Sequence, residues 1–398
     1  MSRLARVLEQ WVPCLLWLVG LLGAVTLVEP APVDILCGAL LVAGALLGWL
    51  RFRKQHVAII MVLVAFALIQ LLSVFGAVDP ARALRFLGIT VYLELTWVLF
   101  TGLVTRFGER ATMSLGQGYL AGALASAVLG LAVLGGALPV LRPIVMYDAM
   151  RIQALFKDPN VFGSYLIPGA IYCIVRVVTG SGRRWMWIVA SAILVAGIVL
   201  SFSRGSWVTL AVALVVAALL WARSAGRRAW RQLVFGIGIL MITVVIAVAA
   251  PQTGSYFKSR LKLQAYDADR FRTQRIAWEA GAAHLLGIGP GQSEAVFQYA
   301  THSTWVRVFA ESGWFALCAY ILLIAASLGR ALRSIQCNRD DAMSWVVFAC
   351  LVAMLVNGVV IDTLHWRVFW MLLALCWTLP SRSALTEPPL TQSEVVTS

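Results

Sequence analysis

Charge is scarce in this chain. Of its 398 residues only 13% are Asp, Glu, Lys or Arg, while 61% are hydrophobic. A soluble domain carries roughly a quarter charged residues, so the shortage excludes a soluble fold and implies an integral membrane protein. The alternation expected of a membrane barrel is missing too. The apolar runs are continuous, which leaves transmembrane helices.

Negative charge is the scarcer sign: 18 Asp and Glu stand against 32 Lys and Arg, a formal net charge of +14. No nucleic-acid partner is needed to explain that excess, because multispan proteins collect Lys and Arg in short cytoplasmic loops. Seven cysteines, an odd number without paired spacing, argue against a disulfide framework and a zinc site. Six lie in apolar runs and Cys337 in a predicted loop. The four histidines and the acids show no metal-ligand spacing, and His284 and His302 are too far apart to suggest one. There is no Gly-x-Ser-x-Gly or Cys–His nucleophile pattern, no fixed-period repeat, and no inverted pair of broken helices of the transporter kind. A cleavable signal peptide is not evident either. The first apolar run, behind Arg3 and Arg6, reads as a retained signal anchor.

What is present is about twelve apolar spans. They fall near 11–28, 33–50, 57–76, 83–105 (with Glu94 inside it), 112–137, 161–179, 185–202, 205–222, 232–250, 304–328, 342–360 and 367–380. Arg51, Arg53 and Lys54, then Arg106 and Arg110, Arg183 and Arg184, Arg223 to Arg231, and Arg330 to Arg339 all occupy loops on one side, with both termini. The charge rule makes that side cytoplasmic. The tail 381–398 is polar and predicted to be disordered. Two loops on the opposite side, 138–160 and 251–303, break the charge rule with Arg151 and Lys157 in one and Arg270, Arg272 and Arg275 in the other. A basic outer surface suggests an anionic partner, although headgroup contact would also explain it.

Three stretches carry candidate chemistry. Asp158-Pro159-Asn160 is turn chemistry and also a helix cap. Arg204 lies in Ser201–Trp207, a tight hairpin between two spans, where an ionisable residue suggests function and snorkelling to lipid phosphate is the plainer reading. From Phe271 to Leu286 the pattern is an amphipathic helix in which Arg275 and Glu279 pair at i,i+4. Gly287–Gly291 ends it in a turn without a dinucleotide or phosphate-loop fingerprint. His302 follows, just before the next span.

Taken in order, Phe156-x-Asp158-Pro159-Asn160-x-x-Gly163, Ser203-Arg204-Gly205, Arg270 with Trp278 and Gly287-x-Gly289, and His302-Ser303 before Gly313 resemble the O-antigen ligase and O-antigen polymerase superfamily. The resemblance covers Arg151 to Leu328. The ligase signature is His, then Asn, Ser or Gln, nine residues, then Gly-x-x-Gly/Thr/Tyr. His302-Ser303 and Gly313 match it, while Ala316 departs at the last position. The arginine-to-glycine spacing of polymerase loops is met by Arg270 and Gly281 and missed by one residue between Arg151 and Gly163.

The resemblance implies an all-α, GT-C-like polytopic glycosyltransferase in residues 1–380, with an ordered periplasmic segment, in the bacterial inner membrane. Its donor would be an undecaprenyl-pyrophosphate-linked glycan. The acceptor would be a lipid A core sugar in a ligase, or a second lipid-linked glycan in a polymerase. Transfer would invert the anomeric centre and need no metal, nucleotide or other cofactor. His302 is then the expected base, Arg204 the principal cation, and Arg270, Arg272, Arg275 and Arg151 the expected pyrophosphate contacts. Asp158, Asn160 and Gly313 would shape the site. A protein O-glycan transferase is a neighbouring alternative. A lipid-linked oligosaccharide transporter and a structural envelope subunit are alternatives of other classes.

Overall fold

The computed structural model describes residues 8–180, 182–225, 238, 251–261, 265–297, 300–338 and 341–379. Its regular structure is helical; the one β-type contact among these residues is an isolated bridge between Met146 and Ile152. Six helices are long and apolar enough to cross a membrane, and five further apolar helices are shorter. The chain is a multi-pass membrane protein. The count of twelve is not reproduced among the described residues: the span expected near 232–250 lies outside them, and several others are shorter than a full crossing.

In chain order the helices are α1 (Val12–Leu22), α2 (Pro32–Leu46), α3 (Lys54–Ser73), α4 (Pro80–Phe107), α5 (Glu109–Leu134), a single turn α6 (Arg142–Val145), α7 (Pro159–Thr179), α8 (Arg184–Leu200) and α9 (Arg204–Ala225). Then come α10 (Pro251–Leu261), α11 (Ala265–Ala283), the short α12 (Ser293–Phe297), α13 (Thr304–Cys337), α14 (Ala342–Asn357) and α15 (Arg367–Thr378). The amphipathic helix expected from Phe271 starts earlier, at Ala265, and ends just before His284.

Helix starts follow ordinary capping chemistry. Asp158 accepts from Asn160 N at 2.6 Å, and Pro159 opens α7 where its missing N–H costs nothing. Asp79 does the same for α4, accepting from Arg82 N at 3.0 Å ahead of Pro80. Helix α7 is the most enclosed of the long helices and packs against α5, α8, α9 and α14. The basic loop 138–160 is pinned to the bundle by its backbone: Ile152 N donates to Leu200 O at 3.0 Å, and Leu155 O accepts from Thr26 N at 2.8 Å.

Helix α13 is the one the rest of the site depends on, and it is broken. Gly313 adopts φ 77° and ψ −173°, which splits a 34-residue helix into a short outer part and a long inner part. Into the break comes the glycine turn 287–291. Ile288 N donates to Ala310 O at 3.0 Å and Gly289 N to Glu311 O at 2.9 Å. Those carbonyls would otherwise be orphaned by the kink. A side chain at 313 would need a left-handed backbone and would drive its Cβ into the Leu285 carbonyl. Gly313→Ala should therefore destabilise the protein by about 2 kcal/mol or more. Gly329→Ala, farther along the same helix where a Cβ meets open space, should not. Thermal unfolding of both purified variants in one detergent checks this; equal midpoints would mean the break is not held by the turn.

Candidate active site

The glycine turn does more than accept a kink. Glu311, 4% exposed, points its carboxylate into the turn, where Gly291 N donates to Oε2 at 2.7 Å and Ser293 N to Oε1 at 3.2 Å. Backbone amides thus hold one negative charge inside the fold. That charge sits one helical turn from Arg307, whose Nε is 3.4 Å away. The guanidinium of Arg307 also binds Asp362 at 2.6 Å and makes a short contact with Glu294. It lies over the Phe86 ring of α4 at 5.7 Å. One arginine, 5% exposed, joins α13, the start of α12, and the turn between α14 and α15.

Asp362 sits in that last turn. Burial alone would raise its carboxyl, but Arg307 overrides the effect, and His365 and the Leu364 amide add to it. The group is held well below the usual carboxylate range. His365 reaches back to α4 through Thr90 Oγ1 at 3.1 Å.

His302 stands at the mouth of this arrangement. It has a left-handed backbone, φ 48°, a region that only a few per cent of non-glycine residues occupy. Ser303, next in the chain, caps α13 by accepting from Val306 N at 3.4 Å and donates to Gly358 O at 3.3 Å. The His-Ser pair therefore has a local cause: the serine starts the helix and the histidine is turned out of it. Gln274 of α11 donates to the His302 carbonyl at 3.3 Å. Burial lowers the imidazole pKa below its ordinary value; Arg270 and Arg307 lower it further, against Asp362 and Glu294.

Arg270 reaches this neighbourhood because of how α11 lies. Residues 270 and 281 are eleven apart, about three turns, and so share a helix face. At Gly281 a Cβ would come within 2.9 Å of the Phe309 ring and 3.0 Å of Ala310 Cα, so α11 lies directly on α13. Thr273 and Ala277 are buried on the same face. Arg270 is half-buried, whereas Arg272 and Arg275 are exposed on the other side, and Arg275 makes an exposed 3.7 Å pair with Glu279.

Arg204 is the first residue of α9 and half-buried, after a turn in which Phe202 takes φ 49°. Its neighbour Gly205 abuts Asn357 and Ile361 so closely that a Cβ would be 2.9 Å from Asn357 Oδ1. The turn 357–362 thus receives the start of α9 on one side and the start of α13 on the other. Asn160 joins through its carbonyl, which accepts from Ser206 Oγ at 3.3 Å. Ser206 in turn bonds Ser164 at 3.0 Å, and Ser164 accepts from Asn357 at 3.4 Å.

Arg151 belongs to a different cluster. It is buried, donates to Ser201 O at 3.2 Å and stacks on Tyr147 at 5.2 Å, with Asp148 accepting from its backbone at 2.8 Å. Burial and then neighbouring Arg260 lower its pKa, while Asp158 raises it. Among the described residues no group of three His, Cys, Asp or Glu is arranged to hold a metal ion. The cation among the acids of the site is Arg307.

Residues 169–321 match the family described as O-antigen ligase. The match covers less than half of the chain, and this stretch is similar to that family. The matched stretch contains Arg204, Arg270, His302, Arg307 and Gly313, and ends before Asp362. No curated protein matches the sequence. Arg307, Glu311, Glu294 and Asp362 were not among the residues expected from the sequence. The one local signal was an arginine and a glutamate at i,i+4 inside an apolar span, a position where charge is rare and paired.

Arg307 is worth removing for that reason. Arg307→Ala leaves Glu311 and Asp362 without their counter-charge, and breaking a buried pair costs about 3–5 kcal/mol. Folded protein in the membrane should drop sharply. Arg82→Ala breaks only a half-exposed 3.0 Å pair with Glu294 and should cost under about 1 kcal/mol. Comparing membrane abundance of the two variants is the check; equal abundance would show that Arg307 is not structural.

Proposed function

We propose that this protein is a membrane glycosyltransferase of the ligase type, a member of the family its residues 169–321 resemble. It moves a glycan from an undecaprenyl-pyrophosphate carrier to a hydroxyl of a lipid A core sugar, at the periplasmic face of the bacterial inner membrane, with both termini cytoplasmic. The observation that carries the reading is a single meeting point. The turn 357–362 gathers a histidine with a lowered pKa and the start of the helix that begins with Arg204, and Arg270 acts on that histidine from α11.

The chemistry asks for little else. The acceptor oxygen attacks the anomeric carbon from the face opposite the pyrophosphate, and the carbon–oxygen bond to the pyrophosphate breaks. The bonding pair leaves on the phosphate oxygen, and the configuration inverts. Pyrophosphate is a good leaving group, so no general acid is needed. Its charge calls for permanent cations, and the planar guanidinium offers paired hydrogen bonds. Arg204 and Arg270 take that role, with Arg272 and Arg275 at the approach and Arg151 on the flank; no metal or other cofactor is involved. The acceptor proton goes to His302, which is neutral and able to accept it at physiological pH. Asp158 and Asn160 hold the start of α7, and Gly313 the break in α13, around the reacting atoms. The carrier's isoprenoid tail lies along the apolar helices. A polymerase would use the same centre with a second lipid-linked glycan as acceptor.

His302→Ala should lower turnover by about 10²–10⁴-fold, the usual worth of a positioned base, with donor binding little changed. The pH profile has a defined sign. Protonated His302 cannot accept a proton, so the rate falls as pH drops through its pKa. Because burial and the arginines depress that pKa, the fall comes below the ordinary histidine value of about 6.5. Donor binding and transfer measured on one purified preparation across pH test this. Near wild-type transfer by His302→Gln with an unchanged profile would remove His302 as the base.

A further inference from the structure

A cavity lies at the other end of the bundle from His302. It encloses about 270 Å³ between α5, α7, α14 and α15. Its position follows from α7. Asp158 caps that helix at the active-site end, and the cavity is lined by Tyr172 and Arg176 near its far end. At 1.5 Å per residue they lie roughly 21–27 Å from the cap, which spans most of a hydrocarbon core about 30 Å thick. The other walls agree: Gly116 and Gln117 are in the early turns of α5, and Met343 opens α14. The cavity therefore faces the opposite leaflet and shares no residue with the site described above.

Its walls are mostly apolar, and among the described residues that line it none is acidic. The permanent charge in the lining is Arg176. That guanidinium is held against two aromatic rings, 5.9 Å from Tyr172 and 5.3 Å from Trp187, which themselves meet edge to face at 5.8 Å. Its Nε is shut off from solvent and makes no hydrogen bond among the described residues. Arg176 is half-buried, with its guanidinium against these two rings and one donor, Nε, buried and unsatisfied, a state that costs free energy unless a partner comes to it.

We propose that this cavity binds one anionic phospholipid of that leaflet, with its phosphate on Arg176 and one acyl chain between α5 and α14. A pocket that takes up a whole drug-sized ligand has about 300–1,000 Å³. The volume here suits a single chain with the headgroup outside. Basic pockets between transmembrane helices are a recurring way to select anionic lipid. Arg183 in the loop that follows α7 and Arg184 at the start of α8, both exposed, add positive charge at the same end. The proposal stands independently of the transfer reaction.

Gly116 offers a clean way to fill the cavity. A Cβ there has only the Met343 methyl near it, at 4.0 Å, and leucine suits a helix better than glycine does. Gly116→Leu should put its side chain where the acyl chain lies, without loss of fold. The test is native mass spectrometry of the full-length protein after delipidation and titration with phosphatidylglycerol, phosphatidylcholine or inorganic phosphate. Wild type should retain one phosphatidylglycerol in preference to phosphatidylcholine. Arg176→Gln should weaken that retention about tenfold, as loss of a charge-assisted contact does, and Gly116→Leu should abolish it with an unchanged melting temperature. Equal retention of both lipids, or retention unaffected by either substitution, would overturn the proposal. So would displacement of the lipid by inorganic phosphate alone, which would mark a free-anion site.

Discussion

Three carboxylates closing on one buried guanidinium hold this active-site region together. Arg307 meets Glu294, Glu311 and Asp362, each carried by a different part of the chain. In low dielectric such charges cannot be left singly, so each segment is bound to the others by the cost of separation. The glycine turn adds a second constraint by surrounding Glu311 with backbone amides, which fixes the acid and through it the arginine. His302 is positioned by what this knot immobilises: the capped start of α13, the turn after α14, and the face of α11 that lies on Phe309 and Ala310.

The arrangement also accounts for the histidine's electrostatics. Arg307 faces three acids, yet it and Arg270 still disfavour a second cation at His302, in addition to burial. In the proposed reaction, a base kept neutral and a nearby set of cations for a leaving pyrophosphate need the same positive surroundings. One environment would then serve both halves of the proposed transfer, with Asp362 and Glu294 limiting how far the imidazole is pushed.

Much of the fold was legible because membrane helices are written in long apolar runs, whose lengths follow from bilayer thickness. Asp158 was legible as a cap, α11 as a helix, and Gly313 through its place after His302; the apolar points expected on that helix, Ile276 and Trp278, are exposed, and Leu285 lies beyond its end. Span lengths were less so: α8 and α15 are shorter than the window that found them, because a window averages through turns. The turn Gly287–Gly291 was readable as a turn but not as the cradle of a buried acid, since that depends on α13 arriving beside it. Arg307 and Asp362 lie 55 residues apart and meet only in the folded bundle. No local pattern marks Asp362, and the pair Arg307–Glu311 was hidden inside a run that otherwise reads as lipid-facing. Likewise, three arginines on α11 look alike in sequence. Packing at Gly281 is what turns Arg270 inward and leaves Arg272 and Arg275 exposed.

The account's central claim is that a glycan changes hands here instead of crossing the membrane on its carrier. Purified protein in liposomes, supplied with an undecaprenyl-pyrophosphate-linked glycan and a core-sugar acceptor, tests it most directly when released carrier and acceptor-bound glycan are measured together. The account predicts one undecaprenyl pyrophosphate released for each glycan joined, with the new linkage opposite in anomeric configuration to the donor. Intact lipid-linked glycan accumulating in the other leaflet, with no pyrophosphate carrier released, would contradict it.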